Sequence, residues 1–414
     1  MDSLDVQPPA REFLLIGDGR YQLTAATIGV RLEVDRLRRE RHELIAELTV
    51  YCDRARTTVD GVLSVGTFNL SSVSARATRA KQLRDQSETE YDFQNLLEEL
   101  CQRTIRAERT GSPACPLTSY DIDAHDIEHV IDPDRGSLSF RLLTDHPTFI
   151  FGDGGAGKSF IELYALGRLT QQGLVTLLVD WELTGNEHHK RLLRMFGPTP
   201  PVVHYLRADR PIADEADRIA REARRLGVDY IAYDSVAFAC SGPPEAAEQA
   251  GIYFRAVRQI GIGSLNLAHV TKAENGDMKP FGSTFWHNGA RATYFAKAAD
   301  GGDILNVGLL NRKANLTARR DYAYQIAFSS AAIAMQPIDM GSVQELASSQ
   351  ALWKRLRHTL QHARMPMTIC ELSDIHEAKK DTVQKVLQRS DLFTRVLSAD
   401  GIHRWALTEL RVSA

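Results

Sequence analysis

The chain has 414 residues, of which 43% are hydrophobic and 25% charged, and its formal net charge is −3. This length allows about two or three domains with sizeable cores. The near-neutral charge excludes nucleic-acid binding through a uniformly basic surface, so any such contact must use local basic patches. Without a membrane-length apolar run or a signal-peptide pattern, and with five scattered cysteines, the sequence favours a cytoplasmic protein with no membrane partner.

Residues 1–120 are predicted to form an accessory α+β region. Alternating apolar residues predict strands at 28–34 and 44–50, with a third strand at 62–70. Basic helical stretches follow at 74–84 and 93–109. The region fits a docking or oligomerisation domain, and the alternative is a DNA contact through Arg76, Arg79, Lys81 and Arg84.

Residues 148–338 are predicted to form an α/β domain, preceded by a connector at 121–147. Short apolar runs alternate with helical segments, which predicts a parallel central sheet with crossover helices. The predicted strands are 148–151, 175–180, 230–234, 264–270, 304–310 and 322–328. A small, polar linker at 339–350 then leads to a separate domain at 351–414.

The first of these strands runs directly into a phosphate-binding motif. Residues 152–159 match the pattern G-x-x-x-x-G-K-[ST] in full, as Gly152, Asp153, Gly154, Gly155, Ala156, Gly157, Lys158 and Ser159. A helix is predicted to continue to about residue 166. In a strand–loop–helix arrangement, backbone N–H groups and the helix N-terminus converge on phosphate oxygens. Lys158 is expected to reach the β- and γ-phosphates and Ser159 to ligate Mg²⁺, so the motif predicts nucleoside triphosphate binding.

Acidic residues end two of the predicted strands. Asp234 is expected to hold Mg²⁺, and the alternative is that it caps the following turn. Asp180 and Glu182 compete for the role of orienting an attacking water. Alternation places both on the same side of the strand, so spacing alone does not choose between them.

With these residues in place, 148–330 resembles the RecA-type ATPases, and in particular their RepA-like hexameric helicase branch. In that family the catalytic glutamate ends the strand after the phosphate-loop helix, which favours Glu182, and residues 187–192 resemble its E-x-H-x-R-L stretch. The resemblance implies a RecA-like fold, ATP and Mg²⁺ as cofactors, catalytic roles for Lys158 and Glu182, and a homo-oligomeric ring. It also places His269 as a γ-phosphate sensor, although a sheet-end histidine without that role remains the alternative.

Two further segments carry roles that the resemblance implies. The loop 273–285 corresponds to one that grips single-stranded DNA, with Lys272 and Lys279 as backbone contacts or as simple solvated charges. The stretches 281–291 and 311–315 resemble segments that deliver a cation to a γ-phosphate. In a ring, this γ-phosphate belongs to the nucleotide of a neighbouring subunit. The candidates are Arg291, Arg312 and Lys313, and an exposed basic turn is the alternative for the last two.

The C-terminal segment is predicted to contain three helices, at 351–363, 367–374 and 379–389, and a hairpin of strands at 393–397 and 402–407. Thr368 and Glu371 form a capping-box pattern. This order resembles a winged helix-turn-helix, and 351–414 has 11 Lys/Arg against 7 Asp/Glu. Duplex DNA is therefore expected to contact Lys380, Lys385, Arg389 and Arg404, whereas protein docking is the alternative.

Together these features predict an ATP-hydrolysing DNA motor, specifically a ring helicase of replication or of a mobile element. The alternative is an ATP-switched DNA-binding or scaffold ATPase that does not unwind DNA.

Overall fold

The computed structural model describes residues 11–17, 19–53, 59–87, 91–111, 114–119, 130–270, 281, 284–363, 365–398 and 400–408. By its internal contacts the chain divides into two units, Met1–Ile122 and Asp123–Ala414. No helix in these described ranges is long and apolar enough to cross a membrane.

The first unit is an antiparallel sheet covered by two helices. The strands pair in chain order as β1 (Arg11–Gly17), β2 (Arg20–Ala25), β3 (Val30–Glu40), β4 (Glu43–Cys52) and β5 (Val62–Asn69). The helices are α1 (Val73–Gln86) and α2 (Phe93–Thr110). The core forms because alternate side chains of β2, β3 and β4 are buried against apolar side chains of α2. The three predicted strands and both helices are confirmed, while β1 and β2 were not predicted.

Arg76 is not available for the DNA contact considered for α1. Its side chain is only 10% exposed and forms an ion pair with Glu98 at 2.7 Å. It also donates to the Leu70 carbonyl at 2.6 Å. Arg79 is engaged as well, donating to the Ser64 hydroxyl at 2.8 Å. The contacts of these two arginines therefore stabilise the packing of α1 within the first unit.

The second unit is built on a nine-stranded sheet. In chain order its elements are β6 (Val130–Ile131), β7 (Leu142–Leu143), β8 (Pro147–Gly152), α3 (Lys158–Gln171), β9 (Thr176–Asp180), α4 (Gly185–Phe196), β10 (His204–Arg207), α5 (Ile212–Leu226), β11 (Tyr230–Asp234), α6 (Ala247–Ile260), β12 (Ser264–His269), α7 (Thr284–Gly289), β13 (Ala292–Asp300), β14 (Ile304–Ala314), β15 (Tyr322–Phe328) and β16 (Ile333–Ile338). The sheet order is β10-β9-β11-β12-β8-β13-β14-β15-β16, and β6 pairs separately with β7. This mixed α/β architecture fits the RecA-like core that the resemblance implies.

The predicted parallel central sheet is present in six strands, but the last three strands are not parallel. The six strands from β10 to β13 are parallel, whereas β14, β15 and β16 are antiparallel additions. A parallel neighbour needs a crossover of a dozen or more residues, and the connections between these strands are too short for one.

Both faces of the sheet are covered, which explains why its central strands are buried throughout. Ile150 of β8 faces a core that includes α3 and α4, whereas Phe149 and Phe151 face a core that includes α5 and α6. Two segments expected to be connections also pack into these cores. Phe140 of the predicted connector and Met340 of the predicted linker are buried, and a short helix, α8 (Gln344–Ala347), lies in the latter.

The C-terminal segment contains α9 (Leu352–Ala363), α10 (Ile369–His376), α11 (Lys380–Gln388), β17 (Phe393–Leu397) and β18 (His403–Leu407). The two strands pair antiparallel. The capping box is confirmed, because the Glu371 N–H donates to the Thr368 hydroxyl and the Glu371 carboxylate accepts from the Thr368 N–H. A common apolar core joins these elements, with Leu356, Leu372, Val383 and Trp405 among its members.

Candidate functional site

Four parallel strands bring the predicted nucleotide-site residues to one edge of the sheet. In the strand register Asp234 lies beside Asp180, and His269 lies beside Gly152, where the phosphate loop starts. The carboxyl ends of parallel strands meet at one edge, which is where ligands bind in open α/β sheets. The structure therefore brings together residues that are up to 117 positions apart in the sequence (269 − 152).

The phosphate loop has the backbone that its glycines allow. Gly157 has a φ of +76° and forms the N-cap of α3. A Cβ at this position would lie 2.8 Å from Cγ2 of Val307, so both conformation and space require glycine. Lys158 is buried and its Nζ donates to the carbonyls of Gly152 (2.9 Å) and Asp153 (2.8 Å). Burial lowers the pKa of Lys158, while the charges of Asp234 and Asp153 oppose that change.

Ser159 and Asp234 form the predicted metal-binding pair. The Ser159 hydroxyl donates to Oδ2 of Asp234 at 2.8 Å. Burial raises the pKa of Asp234 to about 6; the hydrogen bond from Ser159 opposes this, and the charges of Glu182 and Asp180 add to it. A hydroxyl and a carboxylate are hard oxygen ligands, and a divalent cation would offset the negative charge gathered here. These residues fit Mg²⁺.

The two candidate catalytic acids differ in their surroundings. Asp180 is fully buried, bonds the His188 ring, and accepts from the backbone N–H groups of Glu182 and Leu183. Glu182 is exposed, and its Oε1 lies 3.4 Å from the Ser235 hydroxyl. The expectation that alternation places both acids on one side of a strand is wrong, because β9 ends at Asp180 and Glu182 lies in the following turn.

His269 ends β12 at the same edge as the phosphate loop. Burial lowers the pKa of His269, and the positive charge of Lys158 adds to that effect. A neutral imidazole can both donate and accept a hydrogen bond. The strand itself is held by Asn266, whose amide donates to the Thr148 carbonyl of β8 at 3.1 Å and accepts from the Tyr253 hydroxyl at 2.7 Å.

Glu162 is a member of the site that the sequence analysis missed. It lies one turn after Ser159 on α3, is fully buried, and neither carboxylate oxygen has a hydrogen-bond partner among the described residues. Burial raises the pKa of Glu162 well above its usual value, and the charges of Asp234 and Asp180 add to this. A glutamate between apolar neighbours in the phosphate-loop helix was the sequence signal.

The three candidate cations lie at the opposite edge of the sheet. Arg291 precedes β13 and donates its backbone N–H to the Pro147 carbonyl at the start of β8, while Lys313 pairs with Thr293 near the same end. From Pro147 to Gly152 the strand spans about 16 Å. These cations therefore do not meet the phosphate loop of their own chain.

The candidate cations also differ from one another. Arg291 and Arg312 are exposed, and the Arg312 guanidinium lies over the Phe295 ring. The Lys313 ammonium donates to three backbone carbonyls around the end of α7, at 2.8–3.0 Å. Lys313 is thus engaged within its own chain.

The predicted DNA-binding residues fall into three groups. Lys272 and Lys279 lie outside the described residues. The side chains of Lys380, Lys385 and Arg389 are exposed on and next to α11. Arg404 forms a two-pronged ion pair with Asp400, at 2.6 and 2.9 Å, so its charge is largely neutralised.

Comparison with known proteins adds a structural likeness. The chain matches no protein-family model and no curated protein. Among solved structures, a chain described as an ATPase domain is similar over 45% of this chain and 83% of its own length, with a TM-score of 0.37 and 11% identity. A likeness at this level carries no weight for function, so the nucleotide site is inferred from its own residues.

Proposed function

We propose that this chain is a Mg²⁺-dependent ATPase that works on DNA as a ring of identical subunits. The observation that carries the proposal is the convergence of the phosphate loop, the Ser159–Asp234 pair and the exposed Glu182 at one sheet edge. In this assignment the phosphate loop and Lys158 bind the triphosphate, and Ser159 and Asp234 hold Mg²⁺. The metal would supply charge stabilisation to the transferred phosphoryl group.

We assign the orientation of the attacking water to Glu182. Both oxygens of Asp180 already accept hydrogen bonds within a buried network, whereas Glu182 is exposed and accepts a long hydrogen bond, at 3.4 Å, from Ser235. Asp180 then acts as the support that fixes the turn carrying Glu182.

The position of the candidate cations supports a ring. A cation at the far end of β8, a strand about 16 Å long, is better placed to serve the site of a neighbouring subunit than its own. Arg291 is the foremost candidate because it is exposed, Arg312 is the second, and Lys313 is engaged by three carbonyls. A cation supplied in trans raises phosphoryl transfer by about 10³ or more.

DNA is proposed as the partner on two grounds. The segment with Lys272 and Lys279 follows His269 in the chain, so single strands bound there would be coupled to the γ-phosphate. Lys380, Lys385 and Arg389 are exposed on and next to a helix that precedes a hairpin, which fits a winged helix-turn-helix on duplex DNA. We propose 351–414 as that domain and 148–338 as the ATPase domain.

The test is the ATPase rate with and without single-stranded DNA, measured together with the mass in solution with and without nucleotide. A DNA-acting ring gives stimulated hydrolysis and a nucleotide-dependent assembly. If the ATPase rate does not change with single-stranded DNA while duplex binding is intact, the chain is the ATP-switched scaffold and not a motor. Deleting 351–414, which leaves the buried Met340 and α8 in place, separates the two further. A motor should keep strand-stimulated hydrolysis after losing duplex affinity.

A further inference from the structure

A second group of ligating side chains lies far from the phosphate loop in sequence, where α9 meets the end of β16. Lys354, His358 and His362 are spaced four residues apart on α9, so they share one face of the helix. Lys354 binds Asp321 of the core in an ion pair at 2.5 Å. One turn further along α9, His358 faces Asp339, the residue after β16.

Asp339, His358 and His362 converge on one point. One ligand atom of each lies within 4.8 Å of the other two. Nε2 of His358 is 3.7 Å from Oδ2 of Asp339, and the centroids of the two imidazole rings are 4.2 Å apart. Ligand atoms around a tetrahedral Zn²⁺ are roughly 3.3 Å apart, given bonds of about 2 Å. Small side-chain rotations would therefore complete the set.

The two best-placed ligands are already oriented for such a role. Asp339 uses Oδ1 to accept the Gly341 N–H at 2.8 Å, which turns Oδ2 toward His358. Gly341 lies against the His358 ring, since a Cβ there would overlap its Cδ2. Metal-binding side chains are commonly fixed by such secondary contacts.

The contact between Asp339 and His358 has no complete explanation without a cation. Nε2 of His358 is buried and has no hydrogen-bond partner among the described residues. At 3.7 Å, Nε2 of His358 and Oδ2 of Asp339 are too far apart for a hydrogen bond. A buried polar atom without a partner is costly, and a metal ion would satisfy it.

We propose that Asp339, His358 and His362 form a binding site for a divalent transition metal of the zinc class. Two imidazoles and one carboxylate suit zinc and its neighbours rather than Mg²⁺, which prefers oxygen ligands. The ion would join the last core strand to the first helix of the C-terminal segment, beside the Lys354–Asp321 ion pair. It would act as a staple that fixes 351–408 on the core.

The experiment titrates tag-free full-length protein, stripped by chelation, with Zn²⁺ in excess Mg²⁺ so that the phosphate-loop site is occupied. We expect one equivalent to bind. His358→Ala, His362→Ala and Asp339→Asn should each weaken binding by at least about 10-fold. His403→Ala removes an exposed histidine of β18, and Lys354→Gln removes the neighbouring ion pair; both should still bind one equivalent.

Two readouts keep the result interpretable. Co²⁺ should give the visible absorption of a four-coordinate nitrogen and oxygen site, without the sulfur-to-metal bands that Cys370 or Cys115 would cause. Emission from Trp353 on the same helix should change on binding in the wild type and in His403→Ala. Circular dichroism checks that each variant is folded, and Asp339→Asn keeps the Gly341 hydrogen bond. Absence of a bound equivalent, or undiminished binding by the folded His358→Ala and His362→Ala variants, would overturn the proposal.

Discussion

The two edges of the core sheet have opposite chemistry. The carboxyl-end edge gathers Glu182 and Asp234 near the buried Lys158, with Asp180 beside Asp234, whereas the other edge has Arg291, Arg312 and Lys313 close together. One edge has the ligands for a triphosphate and its metal. The other has the cations but no phosphate loop. A ring assembly, as proposed above, would bring the two kinds of edge together between neighbouring subunits.

The largest expected effect comes from the far edge. Arg291→Ala should lower the maximal ATPase rate by about 10³ while nucleotide affinity is retained, because the charge is needed in the transition state. Mixing this variant with Lys158→Ala should restore part of the activity, since each subunit supplies what the other lacks. Arg312→Ala, measured in parallel, identifies which arginine acts.

A failure of complementation, with each variant inactive alone and in mixtures, would remove the division of the site between subunits. If ATPase activity is lost in Arg312→Ala but not in Arg291→Ala, Arg312 is the cation that acts in trans. The contrast between the two edges of the sheet would then still hold.

The near edge should respond to Glu182→Gln. We expect turnover to fall by a factor on the order of 10² or more while ATP binding persists, because the amide cannot accept the proton of the attacking water. Glu187→Gln is the matched control, since Glu187 is an exposed acid at the start of α4 that pairs with Lys190. Normal hydrolysis by Glu182→Gln would return the role to Asp180 or to another group.

A smaller effect is expected at the C-terminal domain. Replacing Lys380, Lys385 and Arg389 with alanine should weaken duplex binding and reduce the salt dependence of log affinity by up to about 3 in slope, because three counterion-releasing contacts are lost. Arg404→Ala should change binding little, since Asp400 already neutralises that guanidinium. A loss from Arg404→Ala without a loss from the triple variant would place the wing, and not α11, on the DNA.

The smallest effect concerns stability. Since the pKa of Glu162 is raised in the folded state, the folded protein holds a proton that the unfolded chain releases above the ordinary glutamate pKa of 4.5. The free energy of unfolding should therefore decline as pH rises from about 4.5, by up to about 1.4 kcal/mol per pH unit. Glu162→Gln should reduce this decline and be more stable than the wild type at pH 7. Urea unfolding of the metal-free protein at a series of pH values measures this free energy. If Glu162→Gln shows the same dependence on pH as the wild type, Glu162 is not buried and protonated.

Sequence patterns predicted the parts of the fold in which local and tertiary preferences agree. Strands such as Tyr230–Asp234 are apolar runs that remain buried on both faces. Strand β13 was not predicted, because its alanines and lysine do not favour a strand and its pairing with β8 decides the conformation. The edge strand β10 is half-buried, so it shows no clear periodicity.

The candidate site shows the same limit. The phosphate loop is contiguous and could be read directly, and Asp234 and His269 could be placed at strand ends. The burial of Glu162, the Asp180–His188 contact and the approach of Asp339 to His358 depend on packing between separate elements. No spacing rule contains that information.

The central claim, that each active site is shared between two subunits, is tested most directly by specific ATPase activity as a function of protein concentration, with mass measured at the same concentrations. A shared site predicts activity per subunit that rises with the assembled fraction and vanishes on dilution to monomer. Full activity per subunit in a sample that is entirely monomeric would contradict it.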